Sequence, residues 1–245
     1  MQSFTTLILA AGKGTRMKSD LAKVLNEMAG KPLVHHVIKA AKESGSEKIV
    51  LIIGHQADRV KESTAEFGVF YALQEEQLGT GHAVMQAKNF VDEEENDVLV
   101  LLGDVPLITV ETLQNLYEVH KNTDASATIL TAVLEDSTGY GRIIRNSGSS
   151  VEKIVEQKDA SEAELEVKEI NSGIFFFKAK DLSEALGMLT SENAQNEYYL
   201  TDTVEIFKKA NKVVSAYIVK DINETHGINT VEQLKNVEQI FLARG

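Results

Sequence analysis

The sequence predicts an α/β fold, because short aliphatic runs alternate with amphipathic stretches through the first half of the chain. Aliphatic runs with so little polarity are typical of strands buried on both faces. Repeated βα units imply a mostly parallel sheet joined by crossover helices. We therefore expect a Rossmann-like, mixed and mostly parallel sheet with helices on both faces. The sequence has no Ser/Gly/Pro-rich linker and no internal repeat, which favours one continuous domain.

The expected elements follow the chain in order. Strands are predicted at residues 7–11, 49–53, 69–73, 98–102, 127–134, 140–145, 151–157, 174–177 and 213–219. Helices are predicted from Leu33 to a stop at Gly45, at 56–66, at 83–90, from Leu107 onward with Thr109 as N-cap, at 198–210 and at 231–242. Thr109 suits an N-cap because its hydroxyl can accept a hydrogen bond from a free backbone N–H in the first turn.

Composition narrows the function classes. The 245-residue chain is 43% hydrophobic and 25% charged, with a net charge of −12 and no cysteine. An acidic chain argues against general nucleic-acid binding, and the lack of cysteine excludes disulfides and thiolate chemistry. No apolar run approaches the ~20 residues that cross a bilayer, and no signal peptide is evident. We expect a cytoplasmic protein with small-molecule partners, and neither a membrane nor a nucleic-acid partner.

A glycine-rich, cationic loop follows the first predicted strand. Gly12 and Gly14 allow a tight turn and close backbone approach to a ligand, while Arg16 and Lys23 supply charge that can face phosphate oxygens. The loop does not match a dinucleotide fingerprint, since Met17 stands where a third small residue is needed, and it is not a P-loop. The glycines alone leave two interpretations open: a nucleotide-phosphate site, or an ordinary strand-to-helix turn with surface cations.

Two further stretches carry polar groups at the ends of predicted strands. Gln74 precedes Gly79-Thr80-Gly81, where exposed backbone groups and an amide could pair with the edge of a base, although such a turn can also simply begin a helix. Asp104 follows a buried strand, where α/β sheets bind ligands, and one carboxylate with substrate phosphates is enough to seat Mg²⁺. A turn or N-cap aspartate is the alternative.

A third group of polar residues lies at the ends of the later strands. Gly141 permits close backbone approach, Glu156 can accept two hydroxyl hydrogen bonds, and Asn171 can both donate and accept. Taken singly, Glu156 could be an exposed strand carboxylate and Asn171 a turn residue. Asn229, between the last strand and the last helix, could simply be a helix-entry residue.

Taken together, the motifs resemble the nucleotidyltransferases that make nucleoside-diphosphate sugars. The matching strings are G-x-G-T-R-M-x-S-x-x-x-K, Q-x-E-Q-L-G-T-G-H-A, G-D-V-P, G-Y-G-R, I-V-E-x-K-D, E-I-N-S-G and G-I-N, in that order along essentially the whole chain. The match is most detailed with the uridyltransferase domain of the bacterial N-acetylglucosamine-1-phosphate uridyltransferases. The resemblance implies the nucleotide-diphospho-sugar transferase fold, with UTP and N-acetylglucosamine 1-phosphate as substrates and Mg²⁺ as cofactor.

The resemblance also implies roles for individual residues. The implied nucleotide-binding residues are Leu9, Ala10, Ala11, Gly12, Gly14, Lys23, Gln74, Gly79 and Thr80. The implied sugar-binding residues are Leu102, Gly103, Asp104, Gly141, Glu156, Asn171, Tyr199, Thr201 and Asn229. Asp104 and Asn229 would hold Mg²⁺, and Arg16 and Lys23 would act in catalysis. A nucleotide-binding part is expected at about 1–110, a sugar-binding lobe at about 111–230 and a final helix at 231–245.

The sequence departs from the family pattern in three respects. Leu102 stands where some relatives have a tyrosine, and Ala22 where a proline often precedes the lysine. The hexapeptide repeats of a β-helix acetyltransferase domain are absent from this sequence. Because that domain usually builds the family's trimer, we expect a monomer for this chain. A different sugar phosphate or nucleotide, or a binding module without turnover, remain alternative functions.

Overall fold

The computed structural model describes residues 4–17, 19–91 and 96–244, so the expected domain ends at 1 and 245 lie outside these ranges. The strands are β1 Phe4–Ala10, β2 Glu27–Met28, β3 Lys31–Pro32, β4 Ser46–Ile53, β5 Phe70–Leu73, β6 Asp97–Leu102, β7 Ala127–Val133, β8 Arg142–Arg145, β9 Val151–Val155, β10 Glu169–Lys178 and β11 Val214–Ile218. The helices are α1 Leu33–Glu43, α2 Ala57–Thr64, α3 Thr80–Gln86, α4 Val110–Asn122, α5 Glu162–Leu165, α6 Ala179–Leu186, α7 Asp202–Lys209 and α8 Val231–Ala243.

A mixed sheet runs through the whole fold. Within the described ranges it has nine strands, in the order β11-β7-β10-β6-β1-β4-β5, with β8 paired to β10 and β9. Strand β1 lies parallel to both β4 and β6, and β10 is antiparallel to both β6 and β7. The predicted mixed, mostly parallel sheet is therefore confirmed. Because β10 is inserted between β6 and β7, the later strands continue the same sheet.

Apolar side chains cover both faces of this sheet. On one face, Val34 and Ile38 of α1 and Leu116 of α4 pack against Ile8 of β1. The opposite face has its own core, which includes Leu7, Val84, Leu182 and Val204. The apolar side chains of β1 thus pack in one core or the other, as the aliphatic runs in the sequence indicate. Helices on both faces are confirmed.

Local sequence signals explain several helix ends. Thr109 caps α4, since its side chain accepts a hydrogen bond from the backbone N–H of Thr112. Thr230 and Gln233 form a reciprocal capping box at the start of α8. Gly45 has a φ of 109° directly after the C-cap of α1, which is a conformation that glycine adopts without strain. Among the described residues, no helix combines the length and apolarity needed to span a bilayer.

Some predicted bounds were wrong. The helix predicted at 83–90 begins at Thr80 and ends at Gln86, and the helix predicted at 198–210 begins only at Asp202. The segment before Asp202 is not helical, because Tyr198 exchanges backbone hydrogen bonds with the chain at the start of α3: its N–H donates to the Leu78 carbonyl at 2.8 Å, and its carbonyl accepts from the Gly81 N–H at 2.8 Å. Sequence periodicity cannot detect such a long-range pairing.

Other elements were missed or were too long in the prediction. The hairpin β2–β3 and helices α5 and α6 were not predicted, and β10 is longer than the expected 174–177. Strand β8 begins at Arg142 rather than at residue 140, and β9 ends at Val155 rather than at 157. Tyr140 and Glu156 therefore belong to loops, which leaves them free to line a cavity.

Candidate active site

The carboxyl ends of β1, β4 and β6 meet at one edge of the sheet, because the three strands are parallel neighbours. The loop after β1 is held beside β4 by a hydrogen bond from the His55 N–H to the Ala11 carbonyl at 3.2 Å. The Gly103 N–H after β6 donates to the Leu9 carbonyl at 2.9 Å. A crevice at this edge is where open α/β sheets bind ligands.

The first cavity at this edge encloses about 360 Å³. Its lining includes all but one of the predicted nucleotide-binding residues, namely Leu9, Ala10, Ala11, Gly12, Lys23, Gln74, Gly79 and Thr80. Gln74 is buried, and its amide nitrogen donates to the Gly79 carbonyl at 3.2 Å. That bond fixes the Gln74 amide against the turn that opens α3, so the remaining hydrogen-bonding groups of the amide have a defined position.

Gly14 does not line this cavity. It has a φ of 65°, and a Cβ added there would lie 2.7 Å from the Cβ of Lys23. The glycine therefore lets the loop after β1 pack directly on the lysine. Its effect on a ligand is indirect, through the position of Lys23.

The second cavity encloses about 340 Å³ and shares Leu102 and Asp104 with the first. It brings together Arg16, Leu102, Asp104, Gly141, Glu156, Asn171 and Asn229. The sequence placed these residues on separate strand ends and loops, spread over more than half the chain. Two adjoining cavities with Asp104 in their common wall can hold two reactants side by side.

Three predicted sugar-binding residues lie outside the lining of the second cavity. Gly103 supports the strand ends instead, since an added Cβ would meet the Leu9 carbonyl at 3.1 Å. The Thr201 hydroxyl donates to Glu156 Oε1 at 3.0 Å, so it orients that carboxylate. Tyr199 donates to Asp159 Oδ2 at 3.2 Å and lines a separate cavity behind Glu156.

A charged cluster occupies the boundary between the two main cavities. Lys23 Nζ forms an ion pair with Asp104 Oδ2 and donates to Asn229 Oδ1 at 2.7 Å. Arg16 donates to the same Asn229 oxygen at 2.8 Å. The Ile228 N–H donates to the Asp104 carbonyl at 3.0 Å, which holds the chain before α8 against the end of β6. The side-chain oxygens of Asp104 and Asn229 thus converge on one cationic centre.

Two ionisable groups of the second cavity, Glu156 and Tyr140, have shifted pKa values. Burial raises the pKa of Glu156, and the nearby carboxylates of Asp159 and Glu197 add to the rise, while the hydrogen bond from Thr201 opposes it. Burial also raises the pKa of Tyr140, with a further contribution from the charge of Asp104. The Glu156 carboxylate is therefore poorly solvated, and it gains from hydroxyl donors on a ligand.

Several lining residues were not predicted from the sequence. Gln77 and Glu197 line the first cavity, and Tyr140 and Gln233 line the second. Gln77 belongs to the Q-x-E-Q string, so its position was available from the motif. Glu197 reaches the first cavity only because Tyr198 pairs with the loop before α3, and no local pattern signals that contact.

The comparison with known families agrees with this geometry. Residues 5–223 match the family model described as nucleotidyl transferase. The chain belongs to the nucleotidyl transferase family. Among its relatives, this nucleotidyl transferase is 51% identical over 244 residues to the bifunctional protein GlmU of Enterococcus faecalis. It is 49% identical over 244 residues to the protein of that name from Acetivibrio thermocellus.

This nucleotidyl transferase covers only part of those relatives. The alignments include 100% of the chain but 53% of each relative, so the chain spans about half their length. A solved structure of a UDP-glucose pyrophosphorylase complexed with UDP-glucose superposes with a TM-score of 0.77 over 100% of both chains. Its sequence identity is 17%, so this similarity concerns the fold alone.

Proposed function

We propose that the chain is a Mg²⁺-dependent uridylyltransferase that makes UDP-N-acetylglucosamine and pyrophosphate from UTP and N-acetylglucosamine 1-phosphate. The observation that carries this proposal is the pair of cavities that meet at Asp104. A nucleotide in the first cavity and a sugar phosphate in the second would present their phosphates to each other at this boundary. The relatives named GlmU support the choice of substrates through the family resemblance of the motifs.

The residues of each cavity suit their proposed ligand. In the first, Gln74 and the backbone of Gly79 offer the paired donors and acceptors that the edge of uracil requires. In the second, the Glu156 carboxylate and the Asn171 amide offer an acceptor and a mixed donor–acceptor for an acetylamino sugar. Leu102 lies between them and contributes an apolar wall.

The proposed reaction is an in-line attack of the sugar phosphate on the α-phosphorus of UTP. A phosphate oxygen is already anionic at neutral pH, so no protein nucleophile or base is needed. Catalysis then depends on positioning and on neutralising charge. Arg16 and Lys23 stand at the boundary of the two cavities, where they would hold the triphosphate and the departing pyrophosphate.

The residues at the boundary fit a divalent cation. Asp104 and Asn229 direct two oxygens to one cationic centre, the Lys23 ammonium, and Mg²⁺ prefers such hard oxygen ligands. Within the described residues, no group of three or more His, Cys, Asp or Glu side chains could hold a metal ion, so substrate phosphates would complete the shell. When bound, Mg²⁺ would neutralise phosphate charge there.

A pyrophosphate-release assay with UTP, Mg²⁺ and N-acetylglucosamine 1-phosphate tests the proposal. We expect turnover by the wild type and by Asp58→Asn, an exposed carboxylate on α2, and none by Asp104→Asn. Glucose 1-phosphate and dTTP in the same assay test the choice of sugar and nucleotide. Full activity of Asp104→Asn would overturn the metal site, and faster turnover with another pair of substrates would overturn the proposed specificity.

The proposed partners are small molecules only. A net charge of −12 supports this view, because nucleic acid would be repelled by most of the surface. A cytoplasmic location and a monomeric state for this chain remain predictions. Size-exclusion chromatography with light scattering measures the assembly state directly.

A further inference from the structure

One buried charge is not used by the proposed reaction. Arg142, the first residue of β8, is 2% exposed, and its guanidinium donates to the Tyr140 carbonyl and to Gln157 Oε1, the latter at 2.9 Å. Within the part of the chain that the structure describes, no carboxylate pairs with it, and its Nε lacks a hydrogen-bond partner. Burying a charge against neutral acceptors alone is unfavourable for stability. Its position therefore calls for an explanation other than stability.

The guanidinium ties together two loops of the second cavity. Gln157 Oε1 accepts from Arg142 and also from the Gly139 N–H at 3.0 Å. One loop, residues 138–141, contributes Thr138, Gly139, Tyr140 and Gly141 to the lining. The other turns at the end of β9 and carries Glu156 directly before Gln157. Arg142 therefore fixes the distance between the 138–141 loop and the segment that carries Glu156.

The two tethered loops determine the position of the proposed sugar-binding groups. A Cβ added at Gly141 would lie 3.3 Å from both carboxylate oxygens of Glu156, so the loop and the carboxylate are nearly in contact. The Gly141 carbonyl accepts a hydrogen bond from the Asn171 N–H at 2.9 Å. A shift of either loop would thus change the relation among all three residues.

We propose that Arg142 is a positioning residue for the sugar-phosphate pocket: its forked guanidinium holds the 138–141 loop and the Glu156–Gln157 turn in the geometry that binds the sugar. Two acceptors on two segments suit the planar, multi-donor fork of arginine, whereas the three donors of a lysine ammonium share one nitrogen on a flexible stem and hold no fixed plane. The inference rests on the proposed function, because it takes the second cavity to be the sugar site.

Kinetic and binding measurements on two variants test this role. We expect Arg142→Lys and Gln157→Ala to raise KM for N-acetylglucosamine 1-phosphate about tenfold or more, since misplacement by about 1 Å can cost about 10²-fold. KM for UTP should stay within about twofold, because the first cavity has none of these contacts. Arg145→Lys is the matched control. Arg145 lies on the same strand and pairs with Glu169 at 2.7 Å, away from both cavities.

A conservative variant separates positioning from loss of folded protein. Gln157→Glu keeps an acceptor for both Arg142 and Gly139, so we expect it to retain a KM for the sugar phosphate close to that of the wild type. A purely structural defect would lower the active fraction and leave both KM values unchanged. The proposal is overturned if Arg142→Lys and Gln157→Ala leave the sugar KM unchanged, if they raise both KM values equally, or if Arg145→Lys has the same effect.

Calorimetry distinguishes failure of this proposal from failure of the proposed function. Titration with UDP and with UDP-N-acetylglucosamine measures the contribution of the sugar without any turnover. We expect Arg142→Lys to lose affinity for the nucleotide sugar about tenfold while keeping its affinity for UDP. If the wild type shows no turnover but this pattern holds, the positioning role stands and the proposed reaction fails. If the wild type binds both ligands equally, the sugar site and the role of Arg142 are both wrong.

Discussion

Gly79 offers a sharp test of how the first cavity is built. It has φ 109° and ψ 174°, a backbone region that is essentially restricted to glycine. A Cβ added there would lie 2.5 Å from the Tyr198 carbonyl oxygen and 2.9 Å from the Tyr198 nitrogen. These are backbone atoms, which cannot rotate away as a flexible side chain would. Gly79→Ala should therefore both strain the turn and push the Tyr198 segment outward.

The size of the effect follows from the two contributions. The strained backbone costs roughly 1–3 kcal/mol, and the overpacking costs roughly another 1–3 kcal/mol. Gly68 supplies the matched control, because it has a φ of 64° and no heavy atom lies within 4 Å of its added Cβ. Gly68→Ala should cost only the left-handed strain of about 1–2 kcal/mol. The reduced entropy of the unfolded chain is common to both variants and cancels in the comparison.

Urea denaturation followed by circular dichroism measures the two free energies of unfolding, and steady-state kinetics measures KM for UTP. We expect Gly79→Ala to lose about 2 kcal/mol more than Gly68→Ala and to raise KM for UTP, while Gly68→Ala keeps it. A difference within about 0.5 kcal/mol, which is the usual effect of a surface substitution, would refute the reasoning. An unchanged KM for UTP would remove this turn from the nucleotide site.

Three further predictions concern the charges. Arg16→Ala should lower kcat by about 10²-fold or more if the guanidinium stabilises charge in the transition state. The control variant Arg59→Ala, which removes an exposed cation on α2, should keep the wild-type kcat. A near-wild-type kcat for Arg16→Ala would remove that residue from the mechanism. Burial, with Glu205 and other carboxylates nearby, raises the pKa of Asp202 to about 6. The folded protein then binds a proton that the unfolded chain lacks between about pH 4 and 6, so stability falls as pH rises. As the pH rises from 4 to 7, the free energy of unfolding of Asp202→Asn should rise by about 1 kcal/mol relative to that of the wild type, after allowance for the partial exposure of Asp202. If urea denaturation gives the same difference between the two proteins at every pH, this prediction is contradicted. At Asp97, burial raises the pKa, but the close contacts of His120 and Lys121 outweigh it and hold the value below normal. The stabilisation by Asp97 is present above about pH 4 and is lost as pH falls through its lowered pKa. Asp97→Asn should therefore be destabilising at pH 6 and less destabilising at pH 3 in thermal unfolding scans, and equal destabilisation at both pH values would contradict the assignment.

Local sequence patterns were sufficient for the parallel part of the sheet. The run at the start of the chain is aliphatic because β1 lies in the middle of the sheet, with Leu7 facing one core and Ile8 the other. The same reasoning failed for β10, which is longer than the aliphatic run 174–177. Most of its first five residues are not aliphatic, and two of them, Asn171 and Ser172, line the second cavity. Strand residues that build a site do not carry the pattern that identifies a strand.

The site could be predicted only in part, and the reason is spatial. The motifs identified most of the lining, because each motif is a short segment whose backbone is exposed at a strand end. Tyr199 and Thr201 lie outside the lining of the two main cavities, because they precede α7 and their hydroxyls bond to Asp159 and Glu156. Arg142 belongs to the G-Y-G-R string, but no local pattern indicates a role for it. Its importance depends on Gln157, fifteen residues further along, and a contact of that kind becomes visible only in the folded chain.

The charged boundary between the cavities places two cations, Lys23 and Arg16, close together before any ligand is bound. Lys23 and Arg16 would repel each other if both faced an empty cleft. Instead both donate to the Asn229 amide oxygen, and Lys23 also pairs with Asp104, so the Lys23 charge is balanced and the Arg16 guanidinium has a polar partner. A triphosphate offers these cations more negative charge than a single carboxylate does. Binding would therefore exchange one set of ionic partners for another, and it would release the Asp104 and Asn229 oxygens in the same step. In the proposed function, this exchange would let one small cluster serve both nucleotide binding and the seating of a divalent cation.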